Sequence, residues 1–496
     1  MIGLLIHSQL RNTGFVSPTI SPDRLARLVG KFDRAPAYRG LCEALQELIG
    51  DGRIPIGTRL PSERTVTAAL AVSRTTVTRA YAELAAAGFA VARQGSGTFA
   101  AVPVDRRKVH DRVRHPLGMP PSGDSVDLSI AAGAATPGTM TGAERALAAL
   151  PSYLAEDGYL PSGLPDLQSR VAESFAARGL PTEPEQIVIT TGALAAVATV
   201  ARALTRPGDR VMVESPVYAN AIDALRLGGA RLVSSPLADP LGDAGWDLDG
   251  VEATLRQSSP KLAYLIPDFQ NPTGFLMSEA DRNRYGAALR HSRTTAIVDE
   301  TLQSLSFTDE PMPAPFASFE PSTVTIGSAS KVFWGGLRVG WIRAPRALVD
   351  RLIAARVRAD LGTSLLDQLV VTELLGTDGI VPQRRAELRS RRDFLVAALR
   401  RDLPDWRFRV PQGGLSMWVR LPHGSATRLA VELERHGLKV APGPVFTVEG
   451  GADGWLRIPF AKPEDELAGA VRLMADVWPT VSGVDGGTQT TRTLIA

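Results

Sequence analysis

The sequence predicts an α/β protein in two parts: a small helical module closed by a β-hairpin, then a large domain built on a mostly parallel sheet with a smaller C-terminal α/β subdomain. Three observations carry this. From Asp127 onward, apolar β-rich runs alternate with helical stretches. Before residue 100, three short helical patterns lead into an alternating strand-turn-strand pattern. Between them, residues 101–126 hold Pro116, Pro120, Pro121, Gly118 and Gly123 with no apolar period. The expected divisions are an N-terminal extension over 1–35, the module over 36–102, a linker over 103–126, the large domain over 127–480 and a disordered Gly/Thr/Ser-rich tail over 481–496.

A length of 496 residues exceeds one ordinary domain. No apolar run approaches the ~18 residues that cross a bilayer, and the opening Met-Ile-Gly-Leu-Leu-Ile stretch is too short and lacks a basic lead for a signal peptide, so a cytoplasmic protein with no membrane partner is expected. The one cysteine, Cys42, excludes an intramolecular disulfide and falls at helical spacing among Leu41, Leu45 and Leu48, as a small buried residue. No metal is expected. The net charge of +3 is uneven: residues 36–114 hold twelve cations against seven anions, which places any polyanion-binding surface in the N-terminal part.

In the module, Leu41, Leu45, Leu48 and Ile49 mark the first helix, with Gly52 and Pro55 beyond it. Ser62, after Pro61, caps a second helix with Val66, Ala69 and Leu70 inward. Ser73 caps a third, carrying Val77, Tyr81 and Leu84 and stopping at Gly88. The tight turn between the last two makes a helix-turn-helix, and residues 89–99 alternate around a glycine turn as a wing. Arg74, Thr75 and Thr76 open the third helix where a recognition helix meets a major groove, while Arg64 and Arg93 suit phosphates. A small helical domain with solvated arginines is the alternative. The segments Gly57-Thr58-Arg59-Leu60-Pro61-Ser62-Glu63-Arg64, Val72-Ser73-Arg74-Thr75-Thr76-Val77 and Gly95-Ser96-Gly97-Thr98 resemble the GntR winged helix. That resemblance implies double-stranded DNA as partner, met by Arg64, Ser73, Arg74, Thr75, Thr76 and Arg93. The basic Arg106-Arg107-Lys108 cluster of the linker reads as a solvated tether or as a further phosphate contact.

In the large domain, Gln186 to Thr190, Arg210 to Glu214, Arg231 to Ser234, Lys261 to Ile266, Thr294 to Val298, Thr323 to Gly327 and Val339 to Arg343 read as strands buried on both faces. The candidate chemical residues follow their ends, where open α/β sheets bind ligands. Gly192 and Ala193 start a helix that offers free N–H groups to a phosphate. Tyr218 follows Glu214-Ser215-Pro216, Asn271 lies in Gln270-Asn271-Pro272-Thr273-Gly274, and Asp299 ends a strand. Lys331, in Ser328-Ala-Ser-Lys-Val-Phe-Trp-Gly-Gly-Leu-Arg338, suits an aldehyde cofactor that carries a phosphate, with Ser328 and Arg338 on the phosphate. Singly, each has a bland reading: helix cap, core aromatic, turn former, capping acid, solvated lysine.

Together their order resembles the fold type I pyridoxal-phosphate aminotransferases over residues 127–480. The resemblance implies pyridoxal 5′-phosphate as an internal aldimine on Lys331, Asp299 on the pyridine nitrogen, Asn271 on the ring hydroxyl and Tyr218 stacked on the ring. It also implies a phosphate held by Ser328, Arg338, Gly192 and Ala193, with Arg457 clamping a substrate carboxylate and, by a looser match, Tyr159 reaching a neighbouring subunit's phosphate. One departure stands out: the tyrosine that usually follows the aspartate by two or three residues is missing from Asp299-Glu300-Thr301-Leu302, and Leu194 stands where a glutamine is common. Losing that donor leaves Lys331's aldimine more basic and less tuned to rapid transamination.

The whole chain thus resembles the MocR subfamily of GntR regulators. The resemblance implies a transcription regulator whose large domain senses pyridoxal phosphate or its adduct with an amino compound, with little or no turnover, as a head-to-tail homodimer. The alternatives are a working aminotransferase with a fused DNA module and a cofactor-free scaffold; the complete lysine, aspartate, asparagine and phosphate set disfavours the last.

Overall fold

A computed structural model describes residues 19–30, 32–50, 54, 57–93, 96–101 and 125–482. The linker residues 103–124 with the Arg106-Arg107-Lys108 cluster, Gly52, Pro55, Gly95, the first 18 residues and the tail from 483 lie outside them. The chain divides into two units, residues 1–118 and 119–496.

The first unit has helices α1 (Pro22–Val29), α2 (Ala37–Gly50), α3 (Glu63–Leu70) and α4 (Arg74–Ala86), then strands β1 (Ala90–Arg93) and β2 (Gly97–Ala100). The caps fall where the hydroxyls are: Ser62 accepts from the Thr65 N–H at 3.4 Å and Ser73 from the Thr76 N–H at 3.1 Å. Leu41, Leu45, Leu48, Val66, Val77, Tyr81 and Leu84 fill one core. The buried Tyr81 hydroxyl donates to the Pro61 carbonyl at 3.0 Å, which ties α4 to the entry of α3. The hairpin is antiparallel, Arg93 facing Gly97. Burial pushes the Cys42 thiol pKa up, as for an apolar filler.

The expected N-terminal extension over 1–35 needs correction. Residues 19–30 belong to the module: Thr19 bridges to Arg59, which bridges to Phe99, and Leu25 and Val29 of α1 enter the core. Ser21 caps α1 and Pro22 begins it, but an eight-residue helix with two buried i, i+4 positions gives too short a period to read.

The second unit carries β3 (Val126–Asp127), α5 (Thr139–Ala149), α6 (Pro165–Ala176), β4 (Ile187–Thr190), α7 (Ala193–Leu204), β5 (Arg210–Ser215), α8 (Ala219–Leu227), β6 (Arg231–Pro236), α9 (Leu248–Ser258), β7 (Leu262–Leu265), α10 (Glu279–Ser292), β8 (Thr295–Asp299), β9 (Val324–Ser328) and β10 (Gly340–Arg343). There follow α11 (Arg346–Asp360), α12 (Leu365–Leu375), α13 (Ile380–Asp402), β11 (Arg407–Phe408), β12 (Ser416–Arg420), α14 (Ala426–Arg435), β13 (Leu438–Lys439), β14 (Ala441–Pro442), β15 (Trp455–Pro459) and α15 (Glu464–Ser482).

Every strand read in the large domain is present, displaced by two residues at most. They form one sheet in the order β4-β10-β9-β8-β7-β5-β6. All neighbours are parallel except β10, which runs antiparallel to both β4 and β9. The side chains of β4, β7, β8 and β9 are buried on both faces, hence their continuous apolar runs, whereas β6, at the sheet's edge and expected to be buried on both faces, is largely half-buried or exposed. The smaller subdomain is the antiparallel sheet β11-β12-β15-β14 with α13, α14 and α15, and β3 pairs in parallel with β13. Two expected boundaries shift: Val126 is in a strand rather than the linker, and α15 runs to Ser482 with Val481 buried rather than in the tail. Among the described residues no helix is long and apolar enough to cross a membrane.

If α1 is part of the module's core, Leu25→Ala should destabilise the module by about 2–5 kcal/mol. The measurement is denaturant unfolding followed by a probe on α4; an unchanged midpoint would place α1 outside the cooperative unit.

Candidate functional site

The antiparallel β10 organises the site. Because it lies between β4 and β9, Gly340 pairs with both Thr190 and Ser328, so the residues just before β10 land at the C-terminal ends of those two strands. Arg338 sits there with φ +50°, its guanidinium donating to the carbonyls of Thr191 at 3.1 Å and Gly335 at 3.3 Å. It lies against Gly192, whose φ is +99°; a Cβ there would stand 2.6 Å from Arg338 Nη2. Gly192 is also the N-cap of α7, and no side chain caps that end. Open helix amides, a guanidinium and Ser328 therefore converge on one place, as an anion requires. Ser328 Oγ donates to the Val339 carbonyl at 3.3 Å, and the buried Ser330 Oγ beside it has no partner among the described residues. Behind the cradle, Thr191 Oγ1 donates to Asp360 at 2.9 Å, and Asp360 pairs with Arg356 at 3.3 Å.

Lys331 follows β9, half-buried, with Nζ donating to the Ala131 carbonyl at 3.0 Å. One strand over, Asp299 ends β8, 5% exposed. Its Oδ1 accepts from the Thr301 N–H at 3.0 Å and its Oδ2 from the Tyr264 hydroxyl at 2.7 Å. Burial and then the Asp299 charge hold the Tyr264 hydroxyl well above its ordinary pKa, so it is a permanent donor.

Asn271, before Pro272, accepts at Oδ1 from Arg457 Nη1 at 3.3 Å. Arg457, on β15 and 5% exposed, also donates to the Ser129 carbonyl and lies over the Phe446 ring at 4.9 Å. Burial pulls its pKa down to about 10, opposed by Tyr218 and Asp127. Tyr218 precedes α8, half-buried, its hydroxyl accepting from Asn220 Nδ2 at 3.0 Å. The loop holding Asn271 is anchored by Glu214, fully buried in β5, which accepts from Trp246 Nε1 at 2.7 Å, Gln270 Nε2 at 3.1 Å and the Ile266 N–H at 3.1 Å. Burial pushes its pKa up to about 7 despite these donors, with Asp299 adding to the rise.

The structure thus brings Lys331, Ser328, Arg338, Gly192, Ala193 and Asp299 to neighbouring strand ends, with Arg457 on Asn271. Tyr159 is 63% exposed, and its ring joins none of these contacts. Sequence reasoning missed Tyr264, which sits in the apolar Leu-Ala-Tyr-Leu of β7, and Ser129 and Ala131, which act through main-chain carbonyls.

On the module, Arg64, Arg74 and Thr75 are exposed and Thr76 is half-buried. Ser73 is committed to the cap, its hydroxyl also paired with those of Thr75 and Thr76 at 2.8 Å each. The Arg93 guanidinium lies over the Phe99 ring at 4.6 Å, which stiffens the wing.

Two family models match the chain: bacterial regulatory proteins of the gntR family over residues 37–100, and aminotransferase class I and II over residues 152–472. The chain is 31% identical over 399 residues to the probable rhizopine catabolism regulatory protein MocR of Rhizobium meliloti, covering 75% of this chain and 78% of that one. It is 34% identical over 331 residues to 2-aminoadipate transaminase of Thermus thermophilus, covering 65% of this chain and 80% of that one. Among solved structures it is similar to LysN, an α-aminoadipate aminotransferase of Thermus thermophilus complexed with N-(5′-phosphopyridoxyl)-L-leucine. The TM-score is 0.66 at 30% identity, covering 73% of this chain and 93% of that one.

Glu214 makes stability depend on pH. Its folded pKa of about 7 lies above the ordinary 4.5, so the folded state holds more protons between those values, and its stabilisation is lost as pH rises through about 7. Across that window the unfolding free energy should fall by up to about 1.4 kcal/mol per pH unit from this group. Denaturant titrations from pH 5 to 8 should show this slope flattened in Glu214→Gln; an identical slope would contradict the assignment.

Proposed function

Because the chain belongs to the MocR subfamily of GntR regulators, a GntR DNA-binding domain fused to an aminotransferase class I and II domain, we propose that it is a cytoplasmic transcription regulator whose large unit binds pyridoxal 5′-phosphate and senses it or its adduct with an amino compound. The observation that carries this is the convergence of Arg338, the open α7 terminus and Ser328 with Lys331 and Asp299 at adjacent strand ends.

The residues fit that cofactor. The glycine-lined cradle at Gly192 and the unpartnered Ser330 hydroxyl suit a phosphate, with Arg338, Ser328, Gly192 and Ala193 as its ligands. Lys331 would hold the aldehyde carbon, Asp299 would keep a proton on the pyridine nitrogen, and Asn271 and Tyr218 would position the ring. Bound there, the cofactor supplies a reversible covalent link to primary amines and an electron sink. Arg457 receives a ligand carboxylate.

Two features favour sensing over turnover. The residues after Asp299 offer no phenol, Leu302 being packed in the core. The chain also devotes a module of its own to DNA, with Arg64, Ser73, Arg74, Thr75, Thr76 and Arg93 as the contacting set. Coupling requires the ligand to bind one DNA-reading arrangement better than another. A homodimer, head-to-tail, would place Tyr159 at a neighbouring subunit; the exposed Met140, Leu147 and Leu154 support such a face. The intact Arg457 and the similarity to 2-aminoadipate transaminase support the second reading, a working aminotransferase with a fused DNA module.

Borohydride should bleach the cofactor's visible imine band and leave the pyridoxyl group covalently attached to the wild-type chain but not to Lys331→Ala; equal covalent attachment in both would overturn the lysine assignment. Sustained transamination with a panel of amino and keto acids would favour the second reading. On an operator selected from random DNA, Arg74→Ala should weaken binding by about 1–3 kcal/mol at fixed physiological salt. Unchanged affinity would displace α4 as the recognition helix.

A further inference from the structure

The segment from Ser129 to Ala134 turns three main-chain carbonyls toward three cations. Arg457 donates to Ser129, Lys331 to Ala131 at 3.0 Å, and Arg384 to Ala134. Two of these are the groups that the reading above gives to the ligand's carboxylate and to the cofactor's aldehyde. Ser129 is itself held by Asp127, whose Oδ1 accepts from both the Ser129 N–H at 2.8 Å and the Ser129 Oγ–H at 2.6 Å. Asp127 in turn is anchored by strand pairing: Leu128 N–H donates to the Lys439 carbonyl at 2.7 Å, and Lys439 faces Asp127 in the β3–β13 register.

Arg457 is a buried cation whose hydrogen-bond partners, the Ser129 carbonyl and the Asn271 side chain, are both neutral. Among the described residues no carboxylate lies within ion-pair distance of it, and its Nε is buried with no partner. The Asp127 charge acts on it across space. A carboxylate placed directly on the guanidinium would compensate the charge but fill the fork that a ligand needs. Asp127 acts instead through Ser129, whose carbonyl it holds against Arg457, and so leaves the fork open.

From this geometry we infer that Asp127 is a positioning residue for carboxylate recognition: through Ser129 it aims Arg457 and leaves its Nε edge for the carboxylate of an α-amino acid rather than a simple amine. The inference rests on the reading that Arg457 receives that carboxylate.

The test uses the full-length chain freed of cofactor and two probes that differ only in the carboxylate, N-(5′-phosphopyridoxyl)-L-leucine and N-(5′-phosphopyridoxyl)-3-methylbutylamine. The wild-type chain should prefer the first. Asp127→Ala should cut that preference about tenfold through weaker binding of the leucine probe alone, with the amine probe unchanged. Asp127→Asn, whose Oδ1 still accepts from Ser129, should keep most of it. Should Asp127→Ala not fold, Asp127→Glu, which moves the carboxylate one methylene off Ser129, must show the same selective loss. The inference is overturned if the alanine variant weakens both probes equally or leaves the preference intact, or if asparagine is as damaging as alanine. Arg457→Ala decides the underlying reading separately: if it abolishes the preference, Arg457 is the carboxylate receptor whatever Asp127 does.

Discussion

The close approach of Arg338 to Gly192 is the contact on which the candidate site depends. A Cβ at 192 would meet the guanidinium at 2.6 Å, and a Cβ at 340 would meet the Gly192 carbonyl carbon at 2.7 Å. Two glycines thus let β10 lie between β4 and β9 with its leading residues pressed on the start of α7. The strand's direction matters as much as the missing side chains. A parallel β10 would deliver its end, not its beginning, to this edge of the sheet, and Arg338 would be carried to the opposite side. Being antiparallel, it brings a cation to the one place where two other strands already point an uncapped helix terminus and a serine. Like charges at a shared site would repel; here the donors wait for an anion.

The same sheet poses an electrostatic difficulty deeper in, where Asp299 and Glu214 are both buried. Each is satisfied differently. Asp299 takes a phenol and a backbone N–H, while Glu214 takes an indole, an amide side chain and a backbone N–H, so among the described residues neither has a cationic partner bonded to it. Hydrogen bonds from neutral donors lower a carboxyl pKa, but burial outweighs them at Glu214, pushing it to about 7. Beside Asp299, Tyr264 stays protonated and keeps donating. Its phenol comes from the neighbouring strand and is committed to Asp299 itself, so it does not replace the tyrosine absent after Asp299.

How much of this was legible in the sequence follows from which atoms do the work. Strands β4, β7, β8 and β9 are buried on both faces, so they stand out as runs, and Gly192, Asn271, Asp299 and Lys331 are marked by lying at or just after their ends. Ser62 and Ser73 cap the helices they precede because a hydroxyl before an apolar period has few other uses. Three kinds of feature left no mark. Tyr264 is a polar residue inside an apolar strand and reads as core. Ser129 and Ala131 act through carbonyls that any residue possesses. Helix α1 is held by tertiary packing of a segment too short to carry a period, and Val481 lies in the last turn of α15, past Pro479.

A sensor needs an element that touches both the ligand groups and the route to its output. On the proposed sensing role, residues 125–134 meet that requirement. They open the described part of the large unit, directly after the segment that joins it in sequence to the module. Within nine residues of that start, their backbone meets Arg457, Lys331 and Arg384. Main-chain carbonyls are weak competitors for such cations. A carboxylate would offer the Arg457 guanidinium two charge-assisted bonds in place of the one neutral carbonyl of Ser129. On the proposed function, a ligand carboxylate would thus draw Arg457 away from the Ser129 carbonyl. That carbonyl would then take another partner, in the described stretch of the unit nearest in sequence to the DNA-binding module. Any ligand-dependent change in how the module meets DNA that is carried by the chain itself has to pass through it.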